Sequence, residues 1–233
     1  MSDSPVTPPK DRYKAILLFG PPGSGKGTQG RILAAIPGFF HSATGDIFRS
    51  LDLQSEAGRM VWQYTSRGEL VPDHVTIDVW KQYIHGMELI NQFHPESSLL
   101  VLDGIPRSVE QATLLEDTIE VVKIIHLRAR TEKMVERLKR RALKENRVDD
   151  ANEDVIRHRM EVYMATTRPI LEYYDDKLIS PIDATQSQIG VLHDIVEELV
   201  PLKEKMDEML EELPGIRGSK DTPPAIAAAL SGG

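Results

Sequence analysis

Cysteine is absent from this 233-residue chain. Without thiols there are no disulfides, no thiolate metal sites and no thiol nucleophile, and a reducing compartment suits such a composition. Aromatic residues are sparse, at 6%. No apolar run approaches the roughly 18–20 residues of a membrane span. The opening residues, MSDSPVTPPKDR, carry no apolar stretch of the kind a signal peptide needs. Positive charge is in deficit: 28 Lys and Arg face 36 Asp and Glu, a net charge of −8. That argues against broad binding to nucleic acid or to anionic membranes. The seven histidines are scattered, with no His-Glu-x-x-His pair, and no Ser-His-Asp arrangement is suggested. The expectation is a soluble, cytoplasmic monomer with neither nucleic acid nor membrane as partner.

The hydrophobic content of 40% is enough for a sizeable core. From Tyr13 onward, short apolar runs alternate with longer helical patterns. AILLF, GFFHSA, SLLVL, VVKIIHL and LISPID read as strands. Between them lie helical stretches, among them PDHVTIDVWKQYIHGMELINQF and NEDVIRHRMEVYMATTRPILEYY, and a last helix that Pro201 is placed to break. Nearly continuous apolar strands separated by helices predict an α/β fold, a five-stranded parallel sheet with helices on both faces. Residues 1–12, rich in Pro, Ser and Asp, and residues 214–233, rich in Gly, Pro, Ala and Ser, read as disordered tails. Met134, Met160 and Met164 read as core, and Trp62 and Trp80 as packing residues.

Directly after the first strand comes GPPGSGKGTQ. Gly20, Gly25 and Lys26 satisfy G-x-x-x-x-G-K between a strand and a helix, the context that gives this pattern meaning. Its glycines let the backbone curl so that several N–H groups face one anion, and the following helix adds its positive end. Lys26, read as an exposed loop cation, places a point charge on the outer phosphates. The hydroxyl that commonly follows the lysine is displaced by one, with Gly27 intervening before Thr28.

That Gly-Lys-Gly-Thr variant resembles the nucleoside monophosphate kinase family, and within it the short-lid adenylate kinases. Further segments support the resemblance in chain order. ATGDIFR (43–49) is similar to the segment that receives the acceptor monophosphate, GELVPD (68–73) to the end of the same insertion, and LDGIPRSVEQA (102–112) to the Asp-Gly-Phe-Pro-Arg signature, with Ile105 for the aromatic. RVDD (147–150) followed by Arg159 resembles the end of a short lid, one residue longer than usual near Ala151. The resemblance implies a kinase domain over 13–213 with a moving acceptor insertion at 43–72 and a lid at 140–151. It implies transfer from Mg²⁺·ATP to AMP giving two ADP. ATP would be held by Gly23, Ser24, Gly25, Lys26, Gly27, Thr28, Arg141 and Gln186. AMP would be held by Thr44, Arg49, Glu69, Leu70, Val71, Gly104, Arg107, Gln111, Arg147 and Arg159. Lys26, Arg107, Arg137, Arg141, Arg147 and Arg159 would carry catalysis.

The residues also speak for themselves. Asp103 ends an apolar run at the carboxyl end of a predicted central strand, where open α/β sheets bind ligands; a carboxylate there suits Mg²⁺, held through water. Between residues 128 and 159, eleven Lys and Arg face seven Asp and Glu. A basic cluster in an acidic chain suits a polyanion. Lys133, Lys139, Arg140 and Lys144 read as a solvated helix face. A UMP or CMP kinase is the nearest rival, and a nucleotide-binding switch that transfers nothing is the next.

Overall fold

The computed structural model describes residues 12–145 and 152–212. Residues 1–11 of the expected N-terminal tail, the whole expected C-terminal tail and the end of the lid, Arg147 included, lie outside them. The chain divides into two compact units, with the boundary between Ile195 and Val196. The sheet and the site belong to the first.

Five strands, β1 (Tyr13–Phe19), β2 (Phe39–Ala43), β3 (Leu99–Asp103), β4 (Ile119–Arg128) and β5 (Ile179–Asp183), form one sheet in the order β2-β3-β1-β4-β5. Every pairing is parallel, as the unbroken apolar runs predict. Residues 15–19 of β1 are buried without interruption, because helices cover both faces. Trp80, Phe93, Leu100, Leu102, Ile105 and Leu115 pack in the same core. Phe93 stacks edge-on to Tyr13, with ring centres 5.3 Å apart.

The helices are α1 (Lys26–Leu33), α2 (Thr44–Ser50), α3 (Glu56–Thr65), α4 (Asp73–Leu89), α5 (Val109–Leu115), α6 (Thr131–Glu145), α7 (Glu153–Val162) and α8 (Gln188–Glu212). The single helix expected over 152–174 is three pieces. After α7 the backbone widens into a π turn (Tyr163–Thr167) and then tightens into a 3₁₀ turn (Arg168–Glu172). Pro169 stands in the first turn of the 3₁₀ piece, and because it brings no N–H it ends the regular hydrogen-bond ladder there, although Arg168 before it keeps helical dihedrals. The π turn also shifts the helix face. Met134 and Met160 are buried as expected, but Met164, one α turn beyond Met160, is 52% exposed. Pro201 does not break α8, which runs through it. The proline is exposed, so water can take the carbonyl left unpaired.

Register sets the carboxyl ends of three strands side by side, with Asp103 level with both Leu18 and Ala43. Chain direction away from β1 divides here, β3 on one side and β4 on the other, which opens a crevice at the strand ends.

Candidate active site

The loop after β1 curls over that crevice. Gly25 stands at the N-cap of α1 with φ +104°, a conformation that costs most residues steric strain. The side chain of Lys26 folds back rather than pointing into solvent, contrary to its reading as an exposed cation. Its ammonium donates to the carbonyl oxygens of Gly20 (2.6 Å) and Pro21 (3.1 Å). Burial drives its pKa down to about 8. Asp103 opposes the drop, while Arg107, Arg159 and Arg141 add to it. Ser24, 2% exposed, holds a buried hydroxyl without a hydrogen-bond partner.

Asp103 faces this loop. Its Oδ2 lies 3.8 Å from Nε2 of His41, close enough for charge to be felt but too long for a hydrogen bond. Burial raises its pKa, yet His41, Lys26 and Arg107 outweigh that and hold the carboxyl below its ordinary value. It is therefore a carboxylate at neutral pH.

Across the crevice, Arg107 donates from Nε to the carbonyl of Gly104 at 2.7 Å. Gly104 adopts φ +93°, and a Cβ there would stand 3.0 Å from Nη2 of Arg107, so only glycine lets the guanidinium lie this close. Arg49, on α2, pairs with Asp46 one turn away. Thr44 is 1% exposed and its hydroxyl has no hydrogen-bond partner. Gln111 is likewise 1% exposed. Its Oε1 accepts from the Arg107 backbone N–H at 2.7 Å, and its Nε2 donates to Asp73 Oδ1 at 2.7 Å.

These groups open onto one cavity of about 1080 Å³. Every candidate residue within the described chain lines it. From the loop come Gly23, Ser24, Gly25, Lys26, Gly27 and Thr28. The opposite wall carries Thr44, Arg49, Glu69, Leu70, Val71, Asp103, Gly104, Arg107 and Gln111. The helices that follow bring Arg137, Arg141 and Arg159, and the loop after β5 brings Gln186. Arg147 lies outside the described residues. Lys139 and Arg140 pair with Glu153 and Glu136, and Lys139 does not line the cavity. Arg140 does line it, in contrast to its reading as purely solvated.

Some lining residues were not legible in the sequence. Trp62, expected to pack, is 51% exposed and faces the cavity, whereas Trp80 is fully buried and donates to Ser42 Oγ at 3.2 Å. Tyr163 sits in the π turn, buried, with a hydroxyl lacking a hydrogen-bond partner and a pKa pushed up to about 12 by burial. Asp73 and Ser108 stand behind Gln111. The apolar period of each helix gives no sign of such contacts, which join segments distant in sequence.

Comparison with known proteins shows the family. A model of the adenylate kinase family matches residues 18–179. An adenylate kinase of Cyanothece sp. is 35% identical over 194 residues, covering 79% of this chain and 95% of that protein. Adenylate kinase 1 of Nostoc sp. is 37% identical, over 77% of this chain and 95% of its own length. The adenylate kinase of Rhodococcus erythropolis is 39% identical over 72% of this chain and 90% of its own.

Proposed function

The chain belongs to the adenylate kinase family, and from that premise we infer how its own residues carry the family's reaction. It is a phosphotransferase that moves a phosphoryl group from ATP to AMP, giving two ADP. An oxygen of the AMP phosphate attacks the γ-phosphorus, the bond to the β–γ bridging oxygen breaks, and its electron pair leaves with ADP. A phosphate monoester, with a second pKa of about 6, is already mostly anionic at neutral pH. No general base is needed, so positioning and charge neutralisation carry catalysis.

The observation that supports this assignment best is the convergence of cations on one cavity. Lys26 is depressed to about 8 by burial, with Arg107, Arg159 and Arg141 adding to the drop. Such a cluster attracts anions, and a triphosphate beside a monophosphate suits it. Lys26 and the loop N–H groups hold the ATP phosphates. Arg49 and Arg107 hold the phosphate of AMP. Arg137, Arg141, Arg147 and Arg159 gather around the transferring group. Thr44 and Gln111, with backbone near Glu69, Leu70 and Val71, meet the acceptor base, and the chain near Gln186 meets the adenine of ATP. Closure of segment 43–72 over the acceptor would exclude water, and the lid at 140–151, which lies partly outside the described residues, would share that task. One chain supplies every one of these groups, which suits a monomer.

Asp103 fits Mg²⁺. It is an ionised oxygen ligand, and among the described residues no group of three or more His, Cys, Asp or Glu could enclose a metal. A single carboxylate acting through water, with phosphate oxygens completing the shell, is how this ion is commonly held. When bound it would neutralise charge on the phosphates.

The acceptor is tested by measuring ADP formation from ATP with AMP, UMP and CMP in turn. AMP is expected to exceed both pyrimidine monophosphates by at least roughly tenfold in kcat/KM, the penalty of about one unsatisfied polar group. Equal use of UMP or CMP would instead favour a general nucleoside monophosphate kinase.

A further inference from the structure

We propose that Asp73 is a positioning residue that fixes the polarity of the Gln111 amide, and that this makes the acceptor site read adenine rather than hypoxanthine. The proposal rests on the reading of Gln111 as the residue that meets the acceptor base.

A primary amide has a donor side and an acceptor side, and a half-turn exchanges them. At Gln111 the neighbours forbid that exchange. The backbone N–H of Arg107 can only donate, so it must meet Oε1, and it does so at 2.7 Å. The Asp73 carboxylate can only accept, so it must meet Nε2, again at 2.7 Å. Turning the amide would set N–H against N–H and oxygen against carboxylate. Asp73 is itself held, because Ser108 Oγ donates to its Oδ2 at 2.8 Å. The same Ser108 oxygen caps α5 by accepting from the Gln111 backbone N–H at 3.0 Å. Asp73 does not line the cavity while Gln111 does, so the carboxylate acts from behind.

Two contacts leave the amide one N–H and one lone pair. Adenine presents an acceptor at N1 and a donor at its 6-amino group. Hypoxanthine presents the opposite, a donor at N1 and an acceptor at O6. A locked amide therefore satisfies one base and leaves two mismatched pairs with the other. The base cannot escape by turning over, because its phosphate is tethered at Arg49 and Arg107.

The experiment compares kcat/KM for AMP and for inosine monophosphate, at saturating ATP, in wild type, Asp73→Asn and Gln111→Leu, with thermal melts of each. Asparagine keeps the shape but offers either a donor or an acceptor, so one of the two locks is released. Asp73→Asn should lower the AMP-to-IMP ratio by roughly tenfold, chiefly through KM for the monophosphate, with KM for ATP unchanged. An equal loss for both substrates would show a merely structural residue and overturn the proposal. If Gln111→Leu leaves the ratio untouched, the reading of Gln111 itself fails; if it changes the ratio while Asp73→Asn does not, only the role of Asp73 fails. Should Asp73→Asn not fold, Ser108→Ala, which frees Asp73 from one side, must lower the ratio in the same direction, and an unchanged ratio would overturn the proposal.

Discussion

The ammonium of Lys26 donates to the carbonyl of Gly20, the residue that opens its own loop, at 2.6 Å. The cation is thus parked on backbone oxygens and partly desolvated, and its pKa falls from 10.5 to about 8. A depressed lysine releases its proton more easily folded than unfolded, so between pH 8 and 10.5 the unfolded chain binds more protons, and this group's contribution to stability rises with pH. Anion binding runs the other way, because it requires the charged form. ATP affinity should weaken as pH climbs beyond about 8, by up to roughly tenfold per unit for a single required proton, with proton uptake on binding. Calorimetry in buffers of different ionisation enthalpy measures both. Lys26→Met should abolish turnover, keep a cooperative melt and remove the proton uptake. Affinity independent of pH up to 10 would contradict the role given to Lys26.

Two helical glycines should respond in opposite directions to alanine. At Gly30 in α1, a Cβ would collide with the His41 ring, whereas at Gly86 in α4 nothing lies within 4 Å. The clash should outweigh the gain in helix propensity, so Gly30→Ala should destabilise by about 1–2 kcal/mol. Gly86→Ala should stabilise by about 0.5–1 kcal/mol. Urea titration of the two variants decides, and a stabilised Gly30→Ala would contradict the close packing of α1 on β2.

Only two tryptophans are present, and they differ sharply in setting. Trp80 is fully buried, while Trp62 is 51% exposed at the cavity wall. Filling the acceptor side with AMP should shield the Trp62 indole and shift its emission to the blue. Trp62→Phe should remove the response and leave the Trp80 spectrum in place. A response that survives in Trp62→Phe would contradict this location for the acceptor.

Much of this was readable in the chain because the relevant signals are local. The phosphate loop is spelled by glycines and a lysine at fixed spacing, and each parallel strand by an unbroken apolar run. The misreadings arise where geometry overrides period. Met160 and Met164 share a face in an α-helix but not across a π turn, so Met164 surfaces. Trp62 reads as a packing residue, but its exposure depends on which side of α3 meets the crevice. The lock on Gln111 joins residues 38 apart in sequence, and neither helix pattern hints at it. Arg49 carries its own partner, Asp46, one turn earlier, but a helical i,i+3 pair says nothing about which cavity it faces.

If the cavity joins two nucleotides and none of its described lining residues activates water, ATP consumption must depend on the acceptor. The most direct test is ATP consumption by the full chain with Mg²⁺, measured with and without AMP. Rapid, stoichiometric formation of two ADP is expected when AMP is present, and ATP loss at least roughly a hundredfold slower without it, the scale at which a positioned acceptor outcompetes water in a closed site. Comparable ATP loss in the absence of AMP would contradict the account and mark the chain as a hydrolase.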